Sequence, residues 1–100
     1  MYYIYILYSN NFDKYYIGQT NNIERRLFEH NNSERITYTS KFRPWELKVS
    51  IPISERRSDA IKIESFIKNH KSRKFIEEII ACKKDNIRLS QLLRVPINRD

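Results

Sequence analysis

The chain has a single glycine, a single cysteine and three prolines in 100 residues, and no long apolar run. Each shortage excludes something. One cysteine, Cys82, rules out an intrachain disulfide and a cysteine-rich zinc site, and it suits a reducing cytoplasm. No apolar stretch reaches the roughly 18 residues of a membrane-spanning helix. The N-terminus lacks a signal peptide's basic start and small-residue cleavage site. A soluble, cytoplasmic protein is the expectation. No repeat, low-complexity stretch or linker divides the sequence, so residues 1–100 are expected to form one domain with one modest core. Acidic residues are in the minority, 12 against 19 Lys and Arg, which leaves a net charge of +7. That balance suits a polyanionic partner, although charge also serves solubility. Hydrophobic residues at 40% and aromatics at 13% are ordinary for a folded chain and argue against disorder.

The aromatics that are present are placed with a pattern. Residues 2–8 (YYIYILY) are β-branched or aromatic with apolar groups on both faces, which predicts a central strand. Turn-forming residues at 9–14 lead to a second short strand, Tyr15–Gly18, and so to a hairpin. Gly18, the lone glycine, implies either a turn geometry that a side chain would block or a close approach by another group; the turn is the simpler explanation. Asn21 suits a helix N-cap, with Glu24 completing a capping box. On the helix that follows, Ile23, Leu27 and His30 share a face with Arg26, while Arg25 points away. Residues 31–40 suit a loop, ending in the basic tip Lys41-Phe42-Arg43-Pro44.

Strict alternation over 45–51 predicts a strand with one buried face, and Pro52 ends it or marks a sheet edge. Ser58 or Asp59 suits the cap of a helix lined by Ala60, Ile63 and Ile67, with Glu64 at the margin of that stripe. Residues 69–72 break the pattern, and 73–81 resume it with Phe75, Ile76, Ile79 and Ile80 as the core side. The tail 85–100, apolar from Leu89 to Val95, suits a further helical turn packed on the domain.

Several residues carry chemistry, and each has a plain structural reading beside the chemical one. Tyr5 and Tyr16, on neighbouring strands, supply phenols for proton transfer and positioning, or merely a cross-strand aromatic pair. A phenol titrates near 10, so a base would need a nearby cation or metal. Arg26 suits a fork on a phosphate as charge builds in the transition state, or a structural ion pair. His30 suits phosphate contact or proton transfer, or an imidazolium capping a helix end. Glu64 suits a magnesium ligand, since that ion needs only one or two carboxylates, or an i,i+4 partner for Lys68. Lys68, Lys71, Arg73 and Lys74, with Lys41 and Arg43, suit contacts to a phosphate backbone, or a solvated helix end.

Tyr3-Ile4-Tyr5 and Tyr16-Ile17-Gly18, followed by the Asn-capped helix with Arg26 and His30 and the distant Glu64, resemble the GIY-YIG endonuclease superfamily in order and spacing over roughly 2–80. The stretches 38–47 and 67–74 resemble its small stand-alone bacterial members. Tyr3 stands where the family writes its first glycine, and Gln19 where repair-type members often carry lysine. The resemblance implies an α/β (α+β) domain with a small three-stranded antiparallel sheet flanked by helices. It implies a Mg2+- or Mn2+-dependent endonuclease acting on DNA, with RNA left open, in a superfamily that includes homing, restriction, junction-resolving and DNA repair nucleases. By position, Tyr5 resembles the general base and Tyr16 the tyrosine that positions water or phosphate. Arg26 resembles the phosphate-stabilising arginine, Glu64 the single metal ligand, and His30 a histidine found in part of the superfamily. Two rival expectations remain: a nucleic-acid-binding module without turnover, and a subunit to which a partner protein supplies target recognition.

Overall fold

The computed structural model describes residues 1–97. Strand β1 (Tyr2–Ser9) runs through the middle of a three-stranded antiparallel sheet, between β2 (Lys14–Thr20) and β3 (Glu46–Ser54). Its position follows from its two apolar faces. Ile4 and Ile6 point to one side, where they pack with Ile17, Ile51, Ile67, Ile79, Leu89 and Leu93. Tyr5 and Leu7 point to the other, against Trp45, Tyr16, Ile23 and Leu27. Each fully buried isoleucine there contributes about 1.5–3 kcal/mol by leaving water.

Helix α1 (Ile23–Asn32) covers the Tyr5 side, while α2 (Arg57–Asn69), α3 (Arg73–Ala81) and α4 (Asn86–Leu93) supply the cluster on the Ile4 side. The fold is thus the α+β arrangement expected, with α3 spanning the predicted 73–81 and the break before it held by Ser72, whose hydroxyl accepts from the Phe75 N–H. No helix among the described residues is long and apolar enough to cross a membrane.

Local details depart from expectation for identifiable reasons. Asn22, not Asn21, caps α1, because its Oδ1 is the one that reaches the Arg25 N–H, at 3.0 Å. Asn21 Oδ1 instead accepts from Arg25 Nη2. Neither Ser58 nor Asp59 caps α2; that helix starts at Arg57 with no side-chain cap, and Asp59 accepts from Ser54 Oγ and Arg56 Nε. The stretch expected as a loop is shorter than 31–40, since α1 continues to Asn32 and Thr39–Phe42 forms a 3-10 turn. Pro52 lies inside β3, which its place at the sheet edge permits. The tail helix is longer than one turn because Asp85 caps it; residues 98–100 of the expected tail lie outside the described residues.

Gly18 is a further correction. It sits within β2, directly opposite Tyr5, and its φ is not in the left-handed region. A methyl group at Gly18 would lie 2.9 Å from Tyr5 Cε1 and closer still to Cζ and Oη. The glycine is there because the Tyr5 ring lies across its backbone.

Candidate active site

The hairpin and α1 converge on the Tyr5 hydroxyl. Burial of β1 leaves Tyr5 only 2% exposed, and its Oη shares a 2.8 Å hydrogen bond with His30 Nε2. His30 Nδ1 in turn shares a 2.9 Å bond with Thr39 Oγ1. Thr39 is fixed by Trp45, whose indole N–H donates to the Thr39 carbonyl at 2.7 Å. Trp45 is held to α1 by Asn31, whose side chain accepts from the Trp45 N–H and donates to its carbonyl. A neutral imidazole has one donor and one acceptor. With the proton on Nδ1, His30 donates to Thr39 and accepts from Tyr5.

Burial, then Tyr16 beside it, pushes the Tyr5 phenol up to about 12, with Glu64 adding in the same direction and the Arg26 guanidinium opposing. Arg26 supplies a nearby cation that lowers this phenol, and desolvation outweighs it. Burial, with Arg26 adding to it, lowers His30 from 6.5 to about 4. His30 is a neutral imidazole at physiological pH, and not the helix-capping imidazolium that its position suggests. Burial works against the Arg26 cation, yet Tyr5 and Glu29 outweigh it and raise its pKa. Arg26 Nη1 also donates to Glu29 Oε1 at 3.2 Å.

The His30 shift has a measurable sign. Its pKa is lower folded than unfolded, so its contribution to stability is full above pH 6.5 and is lost progressively as pH falls toward about 4. The expected loss is on the order of 3 kcal/mol. Denaturant melts of wild type and His30→Gln across that window should differ in slope, and parallel profiles would remove the buried imidazole from the account.

Around this centre lie three adjoining clefts. Tyr16, Arg26, His30, Arg35, Tyr38 and Thr39 line one of about 250 Å3. It shares Tyr16 and Tyr38 with a larger one of about 610 Å3, which Lys14, Lys68, Lys71 and Arg73 also line. It shares Arg26 and Glu29 with a polar one of about 430 Å3, lined by Arg25 and Arg57. Tyr5 lies behind this surface and lines none of these clefts, whereas the Tyr16 hydroxyl makes no hydrogen bond among the described residues. Glu64 is close enough to act on the Tyr5 phenol, is 20% exposed at its side chain, and accepts from Lys68 Nζ at 2.6 Å. Lys68 Nζ also lies 5.8 Å from the Tyr16 ring centre.

Tyr5, Tyr16, Arg26 and His30 are thus brought together, whereas Glu64 lines none of the three clefts and is linked to Tyr16 through Lys68. The expected phosphate contacts are not treated alike. Arg43 also has a structural role: its Nε and Nη2 donate to the carbonyls of His30 and Ser33 at 2.6 and 2.8 Å, because the end of α1 leaves those acceptors open. Arg73 lines the large cleft but is bonded to Asp13 and paired with Glu77. Lys71 lines the same cleft, while Lys41 and Lys74 are exposed outside the three. Lys14, Arg25, Arg35, Arg57 and Thr39 were missed from sequence. No periodicity distinguishes a basic residue beside a cleft from one on an open face.

A model of the GIY-YIG catalytic domain matches residues 1–76. The chain belongs to the GIY-YIG family. GIY-YIG catalytic domains are nucleases, so the substrate of this one is a nucleic acid. No curated protein and no solved structure matches the chain. In this GIY-YIG domain the two tripeptides of the signature meet physically, since Tyr5 and Gly18 face each other across β1 and β2.

The donor set bears on a metal. Among the described residues no group of three or more His, Cys, Asp or Glu side chains is gathered to hold an ion. Glu64 offers one carboxylate whose Oε1 has no hydrogen-bond partner among the described residues. That set fits a hard divalent cation which takes its remaining oxygens from water and substrate, and does not fit a structural zinc.

Proposed function

We propose that this GIY-YIG protein is a cytoplasmic, magnesium- or manganese-dependent endonuclease that hydrolyses DNA. The observation that carries the proposal is the convergence on Tyr5 Oη, which bonds His30 while Tyr16, Arg26 and Glu64 all act on it electrostatically. Arg26 and the unpaired Tyr16 hydroxyl hold the non-bridging oxygens of the scissile phosphate, and Arg26 stabilises the charge that develops there. An attacking water would have to reach Tyr5 Oη behind that surface, where it would give a proton to Oη as Tyr5 passes its own to His30 Nε2. Burial raises the phenol and lowers the imidazole, so neither separated ion is favoured and the two transfers would be coupled. Thr39 and Trp45 keep the imidazole in register for them. Glu64 would hold a Mg2+ or Mn2+ ion, which would supply positive charge for the leaving 3′-oxygen.

Metal removal is the direct test. Supercoiled plasmid and branched DNA should be nicked with magnesium or manganese and left intact in EDTA. Cleavage that persists in EDTA would reject the metal-dependent reading. The near-complete burial of Tyr5 favours one rival, a nucleic-acid-binding module without turnover. Salt-dependent binding with no cleavage of single-stranded, duplex or branched DNA under either metal would select it. A partner chain that supplies target recognition is compatible with both.

A further inference from the structure

Aromatic rings usually go inside, yet Tyr38 at the mouth of the site and Phe12 beyond it stay exposed, joined by the half-buried Phe42, which packs on the Tyr5, Leu7 and Trp45 cluster. Tyr38 is 57% exposed and Phe12 is 49% exposed. Phe42 stands between them, with ring centres 5.0 Å from Tyr38 and 5.3 Å from Phe12. Tyr38 lines both the cleft that holds Tyr16, Arg26 and His30 and the larger cleft that holds Lys68 and Lys71. Its hydroxyl makes no hydrogen bond among the described residues, so no polar partner explains its place.

The row is held in position. Thr37 and Ser40 exchange hydrogen bonds around Tyr38, including Ser40 Oγ donating to the Thr37 carbonyl at 2.7 Å, and Thr39 is tied to Trp45 and His30. Cations flank it: Lys14 Nζ lies 5.0 Å from the Phe42 ring centre, and Lys71 lines the adjoining cleft. Open aromatic faces beside positive charges that track a backbone are the chemistry that binds unpaired nucleotides, because every base has a face to stack. Inside a duplex those faces are covered by neighbouring bases. A platform of this kind therefore acts only on bases that have left the helix.

Building on the nuclease reading above, we propose that Tyr38, backed by Phe42 and Phe12, stacks an unpaired base of the DNA strand next to the scissile phosphate. The preferred substrates are then flaps, frayed ends or gaps, in place of intact duplex.

Binding in EDTA tests this without cleavage. The probes are a single-stranded oligodeoxynucleotide, the same strand made abasic, and the matching blunt duplex. Wild type should bind the base-bearing strand more tightly than the abasic one. Tyr38→Ala should lose about 5- to 100-fold on the base-bearing strand and under about 2-fold on duplex, the range expected for one stacked base. Tyr38→Phe should restore binding. If Tyr38→Ala melts early, Phe12→Ala at the other end of the row carries the same comparison. Equal wild-type affinity for the base-bearing and abasic strands would overturn the proposal, as would equal Tyr38→Ala losses on strand and duplex. A protein that shows Tyr38-dependent strand binding but cleaves nothing upholds the platform and removes the nuclease reading. One that cleaves duplex while ignoring Tyr38 does the reverse.

Discussion

Glu64→Gln is expected to reduce metal-dependent DNA nicking by about 10^2- to 10^4-fold while DNA binding in EDTA stays unchanged. On the proposed mechanism the magnitude is several kcal/mol of transition-state charge stabilisation that would disappear with the ion. The competing explanation of Glu64 is visible in the same side chain, which is ion-paired to Lys68 one turn away. A pair of that exposure is worth under about 1 kcal/mol, so as a structural element it accounts for a small stability change and no loss of turnover. Lys68→Met separates the two roles. It removes the pair and spares the carboxylate, so it should match Glu64→Gln in stability yet retain cleavage. Freed from its ammonium partner, Glu64 should then reach half-maximal activity at a lower metal concentration. Plasmid nicking titrated with manganese reads all three proteins, and wild-type rates from Glu64→Gln would take the glutamate out of the mechanism.

Gly18→Ala is expected to be nearly as damaging, although it removes no functional group. The added methyl has nowhere to go, because Tyr5 Cε1, Cζ and Oη occupy its position. Overpacking of that kind costs about 1–3 kcal/mol. The strain falls on the ring whose hydroxyl bonds His30, so the hydroxyl is displaced from Nε2. A shift of about 1 Å in a catalytic group is enough for roughly 10^2-fold in rate. Melting temperature and single-turnover nicking should fall together in Gly18→Ala. The double variant Tyr5→Phe, Gly18→Ala should then lose little more activity than Tyr5→Phe alone. Additive losses would show that the glycine acts through some contact other than Tyr5.

The sheet and helices were legible because their signals are periodic. Two apolar faces put β1 in the centre, and the Phe75, Ile76, Ile79 stripe gave α3 its bounds. The residues of the candidate site stand out as a set because their order and spacing resemble a family, not because any one of them announces chemistry. Glu64 shows why: its i,i+4 partner Lys68 was as plain in sequence as it is in space. What stayed hidden depends on contacts between distant segments. Arg43 reads as a loop cation until the end of α1 is placed beneath it. Two adjacent asparagines cannot be ranked as caps before the Arg25 N–H has a position. The lowered His30 pKa and the raised Tyr5 pKa come from desolvation, which no spacing rule encodes.

The tie from Trp45 to Thr39, and from there through His30 to Tyr5, also bears on the order of synthesis. A growing chain that has released only its first two strands and α1 has both phenols and the guanidinium but no indole to clamp Thr39, and its acidic residue on α2 is not yet made. A fragment ending before Trp45 should bind nucleic acid weakly and cut none. The growing chain is unarmed until the third strand has closed and α2 has followed it.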